Sequence, residues 1–391
     1  GRHAWAKQRC ITMKRVFVQL ESGRGYGRDL LKGIYDYNNQ FSKWEIIFEP
    51  AYYLKTTENR DLVKLVRLLK PDGCIIEHSE RINEIKKLNI PIIQAIWAER
   101  LKNIPCLKGN YEADGKMAAE YFLKLGFRKL AFFGVNKIAW SDGRFISFEK
   151  HASQNGVQVI RYMFNTNKVG LRHNFDHLIR WLKSLPKPIG ILSCNDDFGQ
   201  MLINACSMGE LKVPHEVAVL GVDNDELLCN ITYPNLSSIA RNHTKAAYNA
   251  CEILDRLMNG AAVSQTVIPT EPVEIIVRSS TDAIASNDIE VIKAMQFIRD
   301  NTNVQITVED VVKVTNLSRR TLYSRFKQIT GNTINDEIQL NKLKKFKELL
   351  KNQHLSVKEV AFSLGFNDVS HVSRWFSSIE GISPLKWRAK I

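Results

Sequence analysis

The chain has 391 residues, enough for two or three domains, and its 44% hydrophobic and 25% charged residues are ordinary for globular proteins. No stretch approaches the roughly 20 apolar residues of a membrane span, and no secretory signal pattern is present. We therefore expect a cytoplasmic protein with no membrane partner. The net charge of +14 favours a polyanion as partner, although charge alone does not separate nucleic acid from an acidic membrane.

The positive charge is densest at the C-terminus, where residues 284–391 hold 17 Lys or Arg against 11 Asp or Glu. The seven cysteines show no CxxC or other metal-ligand spacing, so we expect reduced thiols, no metal site and no cofactor. Residues 1–12 precede Met13 without periodicity, and we assign them to a tag or disordered extension.

Residues 13–278 alternate between short apolar runs and helical patterns. In the first half the predicted strands are 15–20, 44–48, 73–76 and 91–95. In the second half they are 129–133, 157–162, 190–193 and 217–222. Such alternation predicts parallel sheets covered by helices on both faces, with a ligand at the carboxyl ends of the strands. Two sheets of this size imply two lobes that close on a small ligand.

Several ordered motifs of this region resemble those of LacI/GalR-type sugar sensors. The segment 110–134 is similar to that family's lobe-crossing segment, and 191–196, 219–223 and 236–240 are similar to its strand ends and return crossing. The resemblance covers most of residues 14–278. It implies an α/β two-lobed, periplasmic-binding-protein-like (type I) sensor domain.

The same resemblance implies ligand positions at Arg144, Asn195, Asp196 and Asp223. Arginine donates hydrogen bonds, aspartate accepts them and asparagine does both, which suits the hydroxyls of a sugar. Tyr26 and Trp140 are candidate flat faces for the ring, with core packing as the alternative, and a turn role is the alternative for Asp223. We add Arg241, which stands where such sensors often have Gln and leaves the ligand's identity open.

A dinucleotide site is the competing hypothesis for the first lobe. Gly23 and Gly25 follow a predicted strand and open a helix, and Glu49 ends the next strand where a ribose-binding acid would lie. That reading would make the protein an NAD-binding redox sensor or a dehydrogenase-like domain fused to a DNA-binding module. However, the third glycine of the motif is replaced by Arg28, whose side chain would crowd the close approach of helix and strand.

Residues 279–288 are small and polar and are predicted to be a linker before a helical domain at 289–391. Two helix-turn-helix patterns follow, at 308–327 and 357–376. In each, a second helix has apolar residues facing inward and polar residues at its start, as in a helix that reads the major groove. The candidate DNA-binding residues are Ser318, Arg319, Arg320, Thr321, Ser324, Arg325, Lys327, Val369, Ser370, His371, Ser373 and Arg374.

The C-terminal domain resembles AraC-type activators over residues 289–390. The shared signature comprises Gly365, Phe366, Phe376, Gly381, Pro384 and Arg388. The helix predicted at 334–351 would span about 27 Å at ~1.5 Å per residue, against roughly 34 Å between successive major grooves. One subunit could thus enter two grooves. A helical protein-interaction module is the alternative.

Some residues of this domain depart from the family pattern. In the second recognition helix, the usual aromatic pair and lysine are replaced by His371, Val372 and Ser377. In the helix predicted at 334–351, which we call the linking helix, a small core residue is replaced by Phe346. We interpret the lysines of the linking helix, Lys342 among them, as a solvated face, with phosphate contacts as the alternative.

A sugar-sensor domain followed by a double helix-turn-helix domain resembles the xylose-operon regulators. This resemblance implies a non-enzymatic, nucleoid-associated transcriptional activator that binds an operator in double-stranded DNA. It further implies D-xylose or a close pentose as ligand, a homodimer, and RNA polymerase as a partner. In the expected mechanism the sugar favours a closed cleft, and closure repositions the paired DNA-binding helices.

Overall fold

The computed structural model describes residues 13–41, 44–50, 62–77, 82–95, 101, 103–164, 171–264, 266–282 and 288–390. The chain divides into two compact units, Gly1–Ala283 and Ile284–Ile391. The first unit is α/β with two parallel-sheet lobes and the second is helical, which confirms the predicted fold class. The predicted extension at 1–12 lies outside the described residues.

Within the described residues, the first unit contains two six-stranded sheets. The strands are β1 (Lys14–Leu20), β2 (Trp44–Pro50), β3 (Gly73–Ile76), β4 (Ile92–Ala95), β5 (Cys106–Gly109), β6 (Leu130–Val135), β7 (Val159–Phe164), β8 (Ile189–Ser193), β9 (Val217–Val222), β10 (Ser237–Arg241), β11 (Val267–Thr270) and β12 (Pro272–Ile276). The first sheet has the order β11-β5-β4-β3-β1-β2, and the second has the order β12-β10-β9-β8-β6-β7. Pairing is parallel except between β10 and β12.

Helices cover both faces of these sheets. They are α1 (Gly25–Phe41), α2 (Leu62–Leu69), α3 (Ile82–Lys86), α4 (Tyr111–Lys124), α5 (Ala139–Ser153), α6 (Leu171–Ser184), α7 (Asp196–Met208), α8 (Glu226–Ile231) and α9 (His243–Met258). Because side chains alternate along a strand, β1 supplies both cores of its sheet, with Val16 and Val18 in one and Phe17 in the other.

The chain passes between the two sheets three times. The strand β5 of the first sheet leads through α4 to β6 of the second, and β10 of the second sheet leads through α9 to β11 of the first. The chain then returns to the second sheet at β12. These first two passages lie at the predicted crossing segments. We did not predict β5, β11 or β12, which are short strands with no clear alternation of apolar residues.

The second unit contains the helices α10 (Ile289–Asp300), α11 (Val308–Lys313), α12 (Arg319–Thr330), α13 (Ile334–Leu350), α14 (Val357–Ser363), α15 (Val369–Glu380) and α16 (Pro384–Arg388). Capping boxes begin α11, α13 and α14, at Thr307, Thr333 and Ser356. The unit has two apolar cores, and α13 contributes to both of them.

Two sequence-based assignments need correction. Ser280 and Thr281, which we assigned to the linker, are buried in the first unit, where Ser280 Oγ donates to the Val219 carbonyl and Tyr121 Oη lies 2.8 Å from Thr281 Oγ1. Lys342, which we assigned to a solvated face, is buried with the cores of the second unit. Among the described residues, no helix is long and apolar enough to cross a membrane.

Candidate functional site

A cleft lies between the two lobes of the first unit, at the carboxyl ends of their strands. Its space, including the opening to solvent, is about 650 Å³. Six of the seven predicted ligand residues line it: Tyr26, Trp140, Arg144, Asn195, Asp223 and Arg241. The structure adds others that we did not predict: Arg24, Glu77, Tyr111, His243 and Thr270.

Arg144 lies on α5 and is almost fully buried. Its Nε donates to Asp114 Oδ2 at 2.8 Å, its Nη1 to the Cys194 carbonyl at 2.6 Å, and its Nη2 to Asp223 Oδ1 at 3.4 Å. Burial alone would lower the pKa of Arg144, but the carboxylates of Asp114 and Asp223 outweigh it and raise the pKa above its ordinary value. These three bonds leave two of the five N–H groups of the guanidinium for a ligand.

Asp114, on α4, is fully buried behind the cleft and binds two arginines. Besides Arg144, its carboxylate accepts a hydrogen bond from Arg241 Nη1. Gly115 permits this arrangement, because a Cβ there would lie 2.5 Å from the backbone nitrogen of Phe148 and would force α4 away from α5. A buried carboxylate between two guanidiniums fixes the direction of both side chains.

Arg241, at the end of β10, also contacts the first lobe. Its Nη2 donates to both the carbonyl and Oγ1 of Thr270, at 2.6 and 2.8 Å. Thr270 ends β11, which belongs to the first sheet. Arg241 is therefore held at a crossing between the lobes, where it brings a buried guanidinium to the edge of the cleft in place of the Gln often found in LacI/GalR-type sensors.

Asp223 follows β9 with a backbone φ of +100°, a conformation that L-residues with side chains rarely adopt. Its Oδ1 lies 3.4 Å from Arg144 Nη2 and 3.5 Å from His243 Nε2. Burial opposes ionisation, but the Arg144 guanidinium and His243 hold the pKa of the Asp223 carboxyl below its usual range. A strained backbone that carries an ionised acceptor at the cleft is typical of a functional position.

Aromatic rings flank these charged groups. The Arg144 guanidinium lies 5.6 Å from the centre of the Tyr111 ring and 5.5 Å from that of Trp140. Across the cleft, the Tyr26 hydroxyl donates to Glu77, and burial raises the pKa of the Glu77 carboxyl. The cleft thus offers flat apolar faces beside hydrogen-bonding groups, which suits the two kinds of surface on a sugar ring.

Asn195 and Asp196, at the start of α7, have different surroundings. Asn195 lines the cleft while its Oδ1 caps α7 by accepting from the Phe198 backbone. Asp196 does not line it: its Oδ1 accepts from Ser238 Oγ at 2.6 Å and its Oδ2 from the Asp225 backbone at 2.7 Å. Asp196 thus holds the loop after β9, and it lines a small adjoining cavity rather than the cleft itself, so its ligand role stays a prediction.

The charges of the cleft are balanced. Three guanidiniums face three carboxylates: Arg144 faces Asp114 and Asp223, Arg241 faces Asp114, and Arg24 Nε lies 3.2 Å from Asp197 Oδ2. An anionic ligand would have to compete with these carboxylates, and its desolvated charge would lack a free partner. A neutral ligand rich in hydroxyl groups needs no such competition.

The glycine-rich segment at the start of α1 does not form a phosphate site. Asp225 of the second lobe accepts from the Gly25 backbone N–H at 2.8 Å, so a carboxylate already occupies the position of a bound phosphate. A Cβ at Gly27 would lie 1.6 Å from the carbonyl oxygen of Glu21, which explains this glycine by packing alone. These contacts disfavour the dinucleotide hypothesis.

Among the unpredicted cleft residues, only Glu77 carried a recognisable signal in the sequence. Tyr111 and Asp114 lie on a helix that the sequence marks only as a crossing segment, and Thr270 lies on a strand without alternation. Glu77 directly follows the buried strand β3, so the rule that ligands bind at strand ends would have identified it.

In the first helix-turn-helix motif, the side chains of the second helix are buried and exposed on the faces that we predicted. Leu322 and Phe326 are fully buried, while Ser318, Arg319, Arg320, Ser324, Arg325 and Lys327 are exposed and Thr321 is half-buried. Ser318 Oγ accepts from the Thr321 backbone and caps α12. Arg319 pairs with Glu309, and Arg325 lies 3.4 Å from Asp288. Such exposed pairs contribute only ~0–1 kcal/mol and could be exchanged for phosphate or base contacts.

The second motif presents fewer cations. On α15, Ser370, His371 and Arg374 are exposed, and Val369 and Ser373 are half-buried. Val372 and Phe376 are buried, and the Phe346 ring lies 5.3 Å from that of Phe376. The larger residue at position 346 therefore fills the core of this half, and Val372 belongs to the same core.

Comparisons with known proteins agree with this architecture. The family profile described as periplasmic binding protein-like domain matches residues 119–281, and that described as helix-turn-helix domain matches residues 311–390. The chain is 27% identical to the xylose operon regulatory protein of Haemophilus influenzae over 96% of this chain and 98% of that protein. Identity to the xylose operon regulatory protein of Escherichia coli strain K12 is 25%, over 96% of each.

Solved structures give the same result for the fold. The structure of the xylose-binding transcription activator xylR matches with a TM-score of 0.80 at 24% identity, over 97% of this chain and 98% of that one. These findings define a transcriptional regulator that joins a periplasmic-binding-protein-like domain to a C-terminal helix-turn-helix domain. Within that class, the chain is a homologue of the xylose operon regulatory proteins.

Proposed function

We propose that this regulator responds to a neutral sugar, D-xylose or a close pentose, bound in the cleft of the first unit. The observation that carries the proposal is the pairing of Arg144 with Asp114 and Asp223 beneath two aromatic rings. This arrangement provides directed donors and acceptors with no uncompensated charge. Two relatives of the chain are named xylose operon regulatory proteins, which supports D-xylose as the sugar.

The response to the sugar would be a shift of population. A ligand that contacts both lobes stabilises the closed conformation by its differential affinity for that state. We infer that closure in a homodimer brings two pairs of DNA-binding helices to adjacent half-sites, where each pair raises the effective concentration of the other. The regulator would then act as an activator in the cytoplasm, through contact with RNA polymerase.

Calorimetry on the full-length protein tests the ligand. The titrants are D-xylose, L-arabinose, D-ribose, D-glucose and NAD⁺. We expect D-xylose to bind at one site per chain and NAD⁺ to give no heat. A stronger response to another pentose would replace D-xylose in the proposal, and binding of NAD⁺ without binding of any sugar would overturn it.

A variant pair tests the location of the site. Arg144→Gln should weaken sugar binding by about 30-fold or more, because a hydrogen bond from a charged donor contributes ~2 kcal/mol. The matched control is Arg161→Gln, whose side chain pairs with Asp142 on the surface of the same lobe, away from the cleft. We expect the control to bind sugar normally and both variants to bind DNA in the absence of sugar. Equal losses in both variants would contradict the assignment.

A further inference from the structure

A buried lysine connects the two halves of the helical unit. Lys342, on α13, is only 3% exposed, and its Nζ donates to the carbonyl oxygens of Val304 at 2.8 Å and Leu364 at 3.0 Å. Val304 lies between α10 and α11, in the first half, and Leu364 is the C-cap of α14, in the second half. One side chain therefore bonds to the backbone of both halves.

Lys342 lies where the two apolar cores meet. The first core takes Ile334 and Ile338 from α13, and the second takes Leu343, Phe346 and Leu350 from the same helix. A single helix that joins two separate cores can bend between them. The two carbonyl contacts of Lys342 resist such bending, because bending would separate Val304 from Leu364.

The backbone itself makes a second contact at this boundary. Gly365 has a φ of +76°, and a Cβ at this position would lie 3.0 Å from Val304 Cα and 3.1 Å from the Asn303 carbonyl oxygen. Glycine thus allows the turn of the second motif to pack directly against the segment that precedes the first. The Lys342 ammonium also lies 5.0 Å from the centre of the Phe366 ring, next to this turn.

The chemistry of Lys342 favours a positioning role over contact with DNA. Its buried ammonium cannot reach a phosphate, and it has no carboxylate within ion-pair distance in the described part of the chain. Burial lowers the pKa of Lys342 to about 8, so the side chain remains mostly protonated at neutral pH. A charged donor makes stronger bonds to carbonyl oxygens than a neutral one.

We propose that Lys342 is a positioning residue for DNA recognition, which holds the two helix-turn-helix halves at one separation so that α12 and α15 enter neighbouring grooves in register. The proposal rests on the DNA-binding role of the domain, and it is independent of the identity of the sugar.

The first test measures tolerance to the spacing of the DNA sites. A duplex is first selected from a random library by binding to the full-length protein. It is then compared with versions that have one base pair inserted or deleted between the two boxes, which are the base-pair segments contacted by α12 and α15. Wild type should lose at least 10-fold in affinity with each change. Lys342→Met should bind the parent duplex about 10-fold more weakly and lose less than threefold on changing the spacing.

The matched control is Lys345→Met, on the same helix. Lys345 is part-exposed and its Nζ lies 3.0 Å from Glu348. This variant should keep the wild-type penalty for altered spacing, whatever its overall affinity. A Lys342→Met protein that also keeps that penalty would overturn the proposal.

The second test needs no DNA and so separates this proposal from failure of the DNA-binding assignment. Spin labels at the exposed positions Gln328→Cys on α12 and Ser378→Cys on α15, in a Cys10→Ser background, report the distance between the halves by pulsed electron paramagnetic resonance. The six other cysteines are buried. We expect one narrow distance distribution in wild type and Lys345→Met, and a distribution at least twice as broad in Lys342→Met. Equal widths would contradict the proposal.

A third variant serves if Lys342→Met does not fold. Gly365→Ala keeps the lysine but places a methyl group against Val304, so the halves should move apart while remaining connected. The mean label distance should then shift and the preferred spacing of the boxes should change. An unchanged mean distance would contradict the inference that packing at this boundary sets the separation of the two halves.

Discussion

Arg28 Nη2, on the first lobe, donates to both carboxylate oxygens of Asp225, on the second lobe, at 3.0 and 2.9 Å. The same carboxylate accepts from the Gly25 backbone at the start of α1. In the sequence, Arg28 stands where a dinucleotide-binding motif would have its third glycine. Its side chain does not crowd the helix against the strand; it pairs with Asp225 and so joins the two lobes.

Arg28→Met should lower sugar affinity by about two- to fivefold. The lost ion pair is part-exposed, with 39% and 13% of its two side chains accessible, so it contributes only ~0.5–1 kcal/mol to the closed state. Calorimetry with the responding sugar measures the effect, and the effect should shrink in high salt. Lys150→Met is the control, since Lys150 pairs with Glu112 within the second lobe. A stronger effect in the control would refute a link between Arg28 and closure.

Asp114→Asn should destabilise the first unit by about 3 kcal/mol, because two buried guanidiniums lose their shared carboxylate. Urea unfolding followed by tryptophan fluorescence should show a lower midpoint for the first unit and an unchanged transition for the second. Asp142→Asn removes an exposed partner of Arg161 and should cost less than ~1 kcal/mol. Similar shifts in the two variants would show that Asp114 has no special structural role.

Glu77 should make the stability of the first unit depend on pH. Burial raises the pKa of its carboxyl, while the Tyr26 hydroxyl opposes this. The folded state therefore binds the proton more tightly than the unfolded chain, so this carboxyl's stabilising contribution is complete below the unfolded pKa of about 4.3 and is lost as pH rises through the folded pKa. Glu77→Gln should thus gain stability relative to wild type between pH 4 and pH 7.

Glu112→Gln is the control for this measurement, because Lys150 lowers the pKa of Glu112. Its contribution to stability is present above the usual pKa and is lost as pH falls, so the variant should show a small dependence of opposite sign. Urea midpoints at each pH give both curves. A pH-independent difference between Glu77→Gln and wild type would show that the carboxyl does not titrate differently on folding.

The sequence predicted those parts of the fold that follow from local periodicity. Buried runs such as 73–76 are recognisable because a buried strand needs consecutive apolar residues. The short strands β5 and β11 were missed because they form through pairing with distant segments, β5 with β4 and β11, and β11 with β5. Nothing local marks them.

The site was predictable only where a strand end or a family position marked a residue. Arg144 and Asp223 lie in the cleft, but Asp114, which holds Arg144, depends on the approach of two helices distant in sequence. Asp196 shows the opposite case, since a charged residue at a strand end is bonded to Ser238 and the backbone of its own lobe. Lysine is a residue type usually found on the surface, and Lys342 is buried only because two cores pack around α13.

Arg320 and Lys327, both exposed on α12, should differ in their effects on DNA binding. Arg320 lies in the first turn of the helix, which enters the major groove in helix-turn-helix proteins. Arg320→Ala should therefore cost ~1–3 kcal/mol on the preferred duplex and relax the choice of base at one position. Lys327 lies near the C-terminal end of the helix. Lys327→Ala should weaken binding to all duplexes alike and reduce the slope of log affinity against log salt concentration by about one. Binding across a set of single-base variants at several salt concentrations separates the two effects. If both variants changed base preference equally, the division between base and phosphate contacts on α12 would be wrong.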